Sequence, residues 1–530
     1  MSRHTAVTCA FCLVAALSAI AGERWVYINA NYLLVEQVAR VTGLIDRAKK
    51  AGYTHALLTD SKFARIPTLP QRYFDNVRAV KQAAADAGIK VVPALFGVGY
   101  SNDLLSNDPN LAEGLPVKEA LFIVKDDIAA HVPDPDVNLK PRWSFVDQTI
   151  VQRGNEFTST PCKANARFSQ AIQIKPWRQY HISVRVKTER FRSGKPEIKV
   201  IADGRQLQFT DVTVKTDQNW RDVHLSFNSL HHSKATIYFG VWGGHEGTLI
   251  WDSPRLEETG LVNVLRRPGA PFVVRTEDGK TMVEGTDFQP FSDPMMGSVP
   301  YKGEYDAWHE PATLHTKAVP DGTRLRISYF HPHVIYEGQV CACVSEPGFQ
   351  LLLKRQASDV STLWGAENYM MQHDEWRVMN YCQACKDTKR TPGRIAADNV
   401  AFCQRLLKES SPEARVFVWS DMFDPHHNAL PDNYYLVDGS LLGSWEGLSE
   451  KTVVVNWNQG SKAKESLQFF ESRGHRQLIA GYYDQPIAHT RQWLKMAKSH
   501  QGIIGVMYTT WTSNYENLEA FAKMLSEEGY

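Results

Sequence analysis

Two adjacent carboxylates, Asp374 and Glu375, stand in the stretch from Asn368 to Cys385, with His373 before them and Arg377 just after. A short apolar run, Tyr369 to Gln372, leads into the pair. An apolar run that closes on carboxylates is what a buried parallel strand looks like as it delivers polar groups to the mouth of an α/β barrel. Side chains alternate along a strand, so Asp374 and Glu375 can both point inward only if the strand ends there. The chemistry such a pair suits is proton donation by one carboxyl and orientation or charge stabilisation by the other. The alternative is a strand-end pair that caps the next helix or binds Arg377.

The same feature recurs along the second half of the chain. Leu325–Phe330 ends in His331-Pro332-His333, and Val416–Trp419 ends in Ser420-Asp421. Thr452–Val455 ends in Asn456-Trp457-Asn458, and Leu478–Ala480 ends in Gly481-Tyr482-Tyr483-Asp484. Ile503–Met507 ends in Tyr508-Thr-Thr-Trp511. In a parallel barrel these ends share one face. Trp and Tyr around carboxylates make a floor on which a sugar ring can lie, because the C–H faces of sugars stack on aromatic planes.

The elements that must hold these residues are an alternation of strands and helices. Arg24–Asn29, Thr54–Thr59 and Ile89–Phe96 read as strands. Leu34–Ala51 and Tyr73–Ala87 between them have helical periodicity and stop at Gly52 and Gly88. Phe349–Leu363 and Ile395–Leu407 read as helices in the later half. Alternation of this kind implies right-handed crossovers and a parallel sheet. Three early and six later strands make nine, one too many for an eight-stranded ring, so at least one lies outside it.

The alternation is interrupted. Pro133–Pro141 reads as a linker, and from about Trp143 to Leu256 short alternating runs recur between turn residues. That rhythm predicts an antiparallel β-sandwich, similar to jelly-roll carbohydrate-binding modules. Trp220, Trp242 and Trp251 are either a sugar platform there or core residues. The expected organisation is 1–21 signal peptide, 22–132 first part of the barrel, 133–259 inserted sandwich, 260–323 connecting segment wrapping back to the first part, and 324–530 second part of the barrel. The fold class is α/β, a (β/α)8 barrel interrupted by a sandwich.

At 530 residues the chain needs more than one core. Its net charge of +1 suggests no nucleic-acid partner, and fourteen Trp with twenty Tyr fit a carbohydrate-active protein. Arg3 and His4, an apolar run Ala6–Ile20 and the small-x-small Ala19-Ile20-Ala21 read as a secretory signal, with export to the periplasm or exterior and no membrane association after cleavage before Gly22. Six cysteines follow: Cys162, Cys341, Cys343, Cys382, Cys385 and Cys403. Cys341-Ala-Cys343 and Cys382-Gln-Ala-Cys385 are placed to meet; a disulfide suits an exported protein best, with free thiols and then a zinc site as the other readings. No cofactor is expected. No P-loop, dinucleotide glycine motif, His-Glu-x-x-His or Gly-x-Ser-x-Gly elbow occurs.

The last 160 or so residues are distantly similar to the hexosaminidases of glycoside hydrolase family 20. The similarity rests on Asp374-Glu375, Trp419, Trp457, Tyr482-Tyr483-Asp484 and Gly505 to Trp511. It implies that Glu375 is the general acid and that Asp374 orients a 2-acetamido group whose oxygen attacks the anomeric carbon. It implies further that a Tyr beside Asp484 binds the acetamido oxygen, and that Trp419, Trp457 and Trp511 box its methyl. His331, His373, Arg377 and Asp421 complete the expected substrate-binding set, with an oligo- or polysaccharide as partner. Two other readings stay open: a barrel glycosidase in which Glu375 is partnered by Asp421, Asp484 or Glu516, and a glycan-binding protein without turnover.

Overall fold

The computed structural model describes residues 22–530 except Asn433. The signal-peptide expectation for 1–21 lies outside the described residues. Among those described, no helix is long and apolar enough to cross a membrane.

Eight strands close into a parallel barrel: Glu23–Asn29, His55–Thr59, Lys90–Leu95, Asn368–Met371, Arg415–Trp419, Val453–Asn456, Gln477–Tyr482 and Ile503–Thr509. They are numbered here one to eight in that order. Strand one pairs Trp25 with His55 of strand two on one side and with Met507 of strand eight on the other, which completes the ring. Each strand is short and apolar on both faces. Inward residues fill the barrel and outward ones meet the helices, so the strands read as continuous hydrophobic runs. The filling includes Trp25, Tyr27, Leu57, Val92, Met370, Phe417, Trp419, Val455, Leu478 and Met507. Val26, Ile28, Tyr369, Met371, Val418 and Val454, one position out of phase, pack into the surrounding helical layer.

The helices Val35–Lys50, Gln71–Ala87, Pro347–Trp364 and Pro392–Ser410 fall where the periodicity placed them, each a few residues longer at one end or both in the later pair. Gly88 and Gly365 end two of them in the left-handed conformation that a side chain resists.

Strands three and four adjoin in space, with Met370 opposite Ala94, although a long insertion separates them in sequence. Much of it is a sandwich of two five-stranded antiparallel sheets. One sheet centres on Gln179–Arg192 and Glu246–Thr259, the other on Pro196–Ala202 and Lys234–Val241. Phe157, Phe168, Phe239 and Trp251 stack between them. Trp251 is therefore core. Trp220 is covered by Arg185, and Trp242 by Lys199 and Arg167. The three do not form one platform.

A third antiparallel sheet, of five strands, adds to the expected barrel and sandwich. Leu115–Lys125 pairs with Arg324–His331 and Ile128–His131, and Val273–Thr276 and Leu314–His315 from the connecting segment lie at its edges. The extra ninth strand is thus Leu325–Phe330. Its burial alternates residue by residue, the signature of a sheet with one covered face. The segment 260–323 supplies the cover: Leu261, Val264, Met282, Phe288 and Phe291 pack on Phe122, Leu325, Ile327 and Tyr329.

All six cysteines among the described residues are free thiols. The expected disulfide is not formed, because the partners do not sort into pairs. The Cys341 thiol turns to the Gly99 carbonyl, while Cys343, Cys382 and Cys385 converge on one point with Glu113.

Candidate active site

The C-terminal ends of the barrel strands open into a cavity of about 1320 Å³. Asp374 and Glu375 are in its wall, with Arg377, Trp419, Trp457, Tyr483, Asp484 and Trp511. Strand four ends at Met371, and Glu375 has φ +47°, in the left-handed region. Met370 and then Gln372 and Asp374 follow the inward phase of the strand. The left-handed turn at Glu375 breaks that phase and lets the next carboxyl enter the cavity as well. A non-glycine residue holds such a conformation only where its surroundings enforce it.

Those surroundings are specific. The Glu375 backbone N–H donates to Asp421 Oδ2 at 2.8 Å, and its carbonyl accepts from Gln339 Nε2 at 2.8 Å. The same Gln339 nitrogen donates to the Gly99 carbonyl at 3.0 Å, tying the loop after strand three to the loop after strand four. Gly99 is required there: a Cβ on it would lie 2.0 Å from the Asp374 carbonyl oxygen.

The side chain of Glu375 is clamped on both oxygens. Tyr100 OH donates to Oε2 at 2.6 Å, and Arg377 Nη2 lies 2.6 Å from Oε1. Arg377 also donates to Tyr100 and to Gln339 and lies over the rings of Tyr336 and Tyr435. Asp374 has a different environment. Burial, and then the neighbouring Asp421 and Glu375 carboxylates, hold its carboxyl well above the usual carboxylate range. Burial likewise raises Asp421, which accepts from Asn428 at 3.0 Å and from Trp457 Nε1 at 3.1 Å. Asp421 is wholly buried behind the Glu375 loop and holds the wall in place from outside the cavity.

The aromatic residues form a continuous surface. Trp457 stacks on Tyr483 with ring centroids 5.8 Å apart, and Tyr483 meets Trp511 edge-on at 5.6 Å. Trp511 reaches Trp419 at 5.9 Å and Tyr27 at 5.1 Å. Tyr482, Tyr483 and Asp484 all have positive φ. This turn reverses the strand's phase after Ala480, so that Tyr483 enters the cavity and Tyr482 leaves it. Asp484 accepts from Thr510 Oγ1 at 2.6 Å and from the N–H groups of Trp511 at 2.8 Å and Thr512 at 3.2 Å, which fixes the Trp511 loop.

Besides Asp421, three residues expected at the site lie elsewhere. His331 ends a strand of the third sheet, not of the barrel, and is buried between Asn228 and the Pro332 carbonyl; burial pushes its pKa down to about 4. His373 points out of the barrel, in the phase opposite to Asp374, and pairs with Asn399; burial again pushes it down to about 4. Tyr482 stacks on Tyr508 in the helical layer at 4.1 Å. Glu516, weighed as a second carboxylate, is exposed and outside the cavity wall.

Other wall residues were not among those expected, although Asp60 and Tyr100 also stand just past strand ends. Tyr100, the second clamp on Glu375, sits in the Gly97-Val-Gly-Tyr100 loop 275 positions away. Tyr27 and Asn29 come from strand one, Thr59 and Asp60 from strand two, and Lys195 from a turn of the sandwich. The sandwich therefore borders the cavity mouth.

No family model matches the sequence, and no curated protein matches it. Among solved structures, the chitobiase of Flavobacterium johnsoniae is similar over 95% of this chain at 9% identity, with a TM-score of 0.40. A rhamnosidase from Novosphingobium is similar over 97% at 9% identity and a TM-score of 0.36. This chain spans 48% and 59% of those two chains. A CBM4 carbohydrate-binding module is similar over 22% of this chain at 17% identity, with a TM-score of 0.18. These likenesses are distant, and the functional reading rests on the cavity itself.

Proposed function

We propose that the protein is a glycoside hydrolase acting on glycans outside the cytoplasm, with Asp374 and Glu375 as its reacting pair and a 2-acetamido sugar as its substrate. The observation that carries the reading is the pair's position: two adjacent carboxyls enter an aromatic-walled cavity at the C-terminal mouth of the barrel. Glycoside cleavage needs a proton for the leaving oxygen and a group that supports positive charge at the anomeric carbon. In this reading Glu375, the less buried of the two, donates the proton. Asp374 lies deeper, near Tyr27 and Tyr483, whose phenols are raised first by burial and then in part by its charge. It is placed to hold an acetamido N–H while the acetamido oxygen attacks and the leaving group departs. Tyr483 is the phenol available to that oxygen, and Trp419, Trp457 and Trp511 supply the apolar surface. Water then opens the cyclised sugar on the opposite face: its oxygen bonds to the anomeric carbon, the acetamido C–O bond to that carbon breaks, and the Glu375 carboxylate accepts a proton from the water.

One observation favours a second assignment within the same chemistry. Arg377 and Tyr100 grip both oxygens of Glu375, while burial and the neighbouring Asp421 and Glu375 carboxylates raise the affinity of Asp374 for a proton. For Glu375 to act as the acid, the sugar must take over part of the Arg377 contact. If it does not, the two roles are exchanged and Asp374 protonates the leaving oxygen.

A panel of aryl glycosides with and without the N-acetyl group tests the reading, together with a thiazoline mimic of the cyclised sugar. Turnover restricted to N-acetylated substrates and tight thiazoline binding support it. Cleavage of sugars lacking the acetamido group, with no thiazoline binding, replaces it by a two-carboxylate mechanism. Glycan binding with no turnover of any substrate rejects the enzyme reading.

A further inference from the structure

Away from the cavity, four buried donor atoms converge. Cys343 Sγ lies 3.2 Å from Cys382 Sγ and 3.5 Å from Cys385 Sγ. Glu113 Oε2 lies 3.4 Å from Cys382 Sγ and 3.3 Å from Cys385 Sγ. One ligand atom from each of the four residues falls within 4.8 Å of every other, and all four residues are almost wholly buried. We infer that Glu113, Cys343, Cys382 and Cys385 form a tetrahedral binding site for a structural zinc ion.

The geometry fits that ion. Zinc–sulfur bonds of about 2.3 Å in a tetrahedron set neighbouring sulfurs roughly 3.8 Å apart. The observed separations are a few tenths of an ångström shorter, a difference that small rotations of the thiols remove. Three sulfurs with one carboxylate favour zinc over magnesium or calcium, which take oxygen ligands. All four positions are protein ligands, so no vertex is left for water or substrate, and the site is structural rather than catalytic.

A disulfide accounts for the cluster less well. Three sulfurs cannot all pair, and the carboxylate would remain facing electron-rich atoms. Glu113 is not there by chance of packing. Its Oε1 accepts from the N–H groups of Tyr381 at 2.8 Å and Cys382 at 3.0 Å, which aims Oε2 at the sulfurs. This is the outer hydrogen bonding that orients metal-ligating carboxylates. The guanidinium of Arg267, held by the carbonyls of Asn110 and Ala112 and by Glu346, also lies against the Cys382 sulfur and places a positive charge beside the cluster.

The ligands come from three separate stretches. Glu113 precedes the first long strand of the third sheet, and Cys343 precedes the helix that leads into barrel strand four. Cys382 and Cys385 follow the loop that carries Asp374, Glu375 and Arg377. The ion would therefore fasten the far end of the reacting loop to the body of the protein.

The test is metal and thiol content of the full chain, purified without chelator or added zinc. One zinc per chain is expected, with every cysteine titrating as a thiol once the protein is unfolded in chelator. Cobalt exchanged into the site should give thiolate-to-metal charge-transfer absorption and tetrahedral d–d bands. Glu113→Gln and Cys385→Ser should lose the metal, whereas Cys341→Ser, outside the set, should keep it. Absence of metal together with two missing thiols would establish a disulfide and overturn the inference. Absence of metal with all thiols free would overturn it as well. Should the ligand variants fail to fold, the zinc content and cobalt spectrum of the wild type decide alone.

Discussion

Gly99→Ala probes how the reacting pair is held, with a single methyl that touches no substrate. The new Cβ would stand 2.0 Å from the Asp374 carbonyl oxygen and 3.1 Å from the Glu375 carbonyl carbon and oxygen. All three are backbone atoms, so no side-chain rotation relieves the contact, and a gap of about 1 Å must open between the two loops. The Gln339 bridge to Gly99 and Glu375 then stretches, and the left-handed turn at Glu375 loses one of its supports. A shift of about 1 Å in reacting groups can cost about 10²-fold in rate. Overpacking of a tight contact costs about 1–3 kcal/mol in stability. The assay is steady-state hydrolysis of an aryl N-acetylhexosaminide, with thermal unfolding alongside. The expected result is a kcat/KM lowered about 100-fold in a protein that still folds. Unchanged kinetics and unchanged stability would refute the claim that Gly99 sets the position of Asp374.

Two further outcomes are expected. Trp511 is 49% exposed at the cavity mouth, so Trp511→Ala should raise KM several-fold, in line with about 0.5–1.5 kcal/mol for one aromatic contact; an unaltered KM would place the sugar elsewhere. Burial depresses His373 to about 4, below its unfolded value of about 6.5, so the stability it contributes is complete above pH 6.5 and lost as pH falls through 4. His373→Gln, which cannot ionise, should lack this acid-labile component, about 3 kcal/mol, in urea unfolding followed from pH 7 to pH 4; parallel pH curves for the two proteins would contradict it.

Much of the barrel was legible because parallel strands covered on both faces read as unbroken apolar runs, such as Val453–Val455 and Leu478–Ala480. The carboxylates and aromatics at their ends were legible for the same reason: an abrupt change from apolar to polar marks the strand end. The phase of the strands was less so. Asp374 and His373 differ only in which face they take, and the even-numbered phase of Met370 decides against His373. The reversal at Tyr482 and Tyr483 depends on consecutive left-handed residues that no sequence pattern announces. Leu325–Phe330 carried its own correction, since Leu325, Ile327 and Tyr329 alternate with more exposed residues, as in a sheet with one open face. Leu115–Lys125 was obscured by Pro116 and by the left-handed Glu119 within it. Tyr100 and Gln339 act through long-range contacts between irregular loops, which neither periodicity nor local spacing encodes.

The central claim is that Asp374 and Glu375 perform glycoside cleavage, and the most direct measurement is the leaving-group dependence of Glu375→Gln. An acid is needed only when the leaving oxygen departs poorly without a proton, and its loss typically costs about 10²–10⁴-fold. Glu375→Gln should therefore turn over substrates with acidic phenol leaving groups near the wild-type rate and lose rate steeply as leaving-group pKa rises. Asp374→Asn should slow all N-acetylated substrates to a similar degree, because orientation and charge support are lost whatever departs. The opposite pattern, with leaving-group dependence in Asp374→Asn alone, would exchange the two roles. Wild-type rates for both variants on every glycoside that the wild type cleaves would contradict the account.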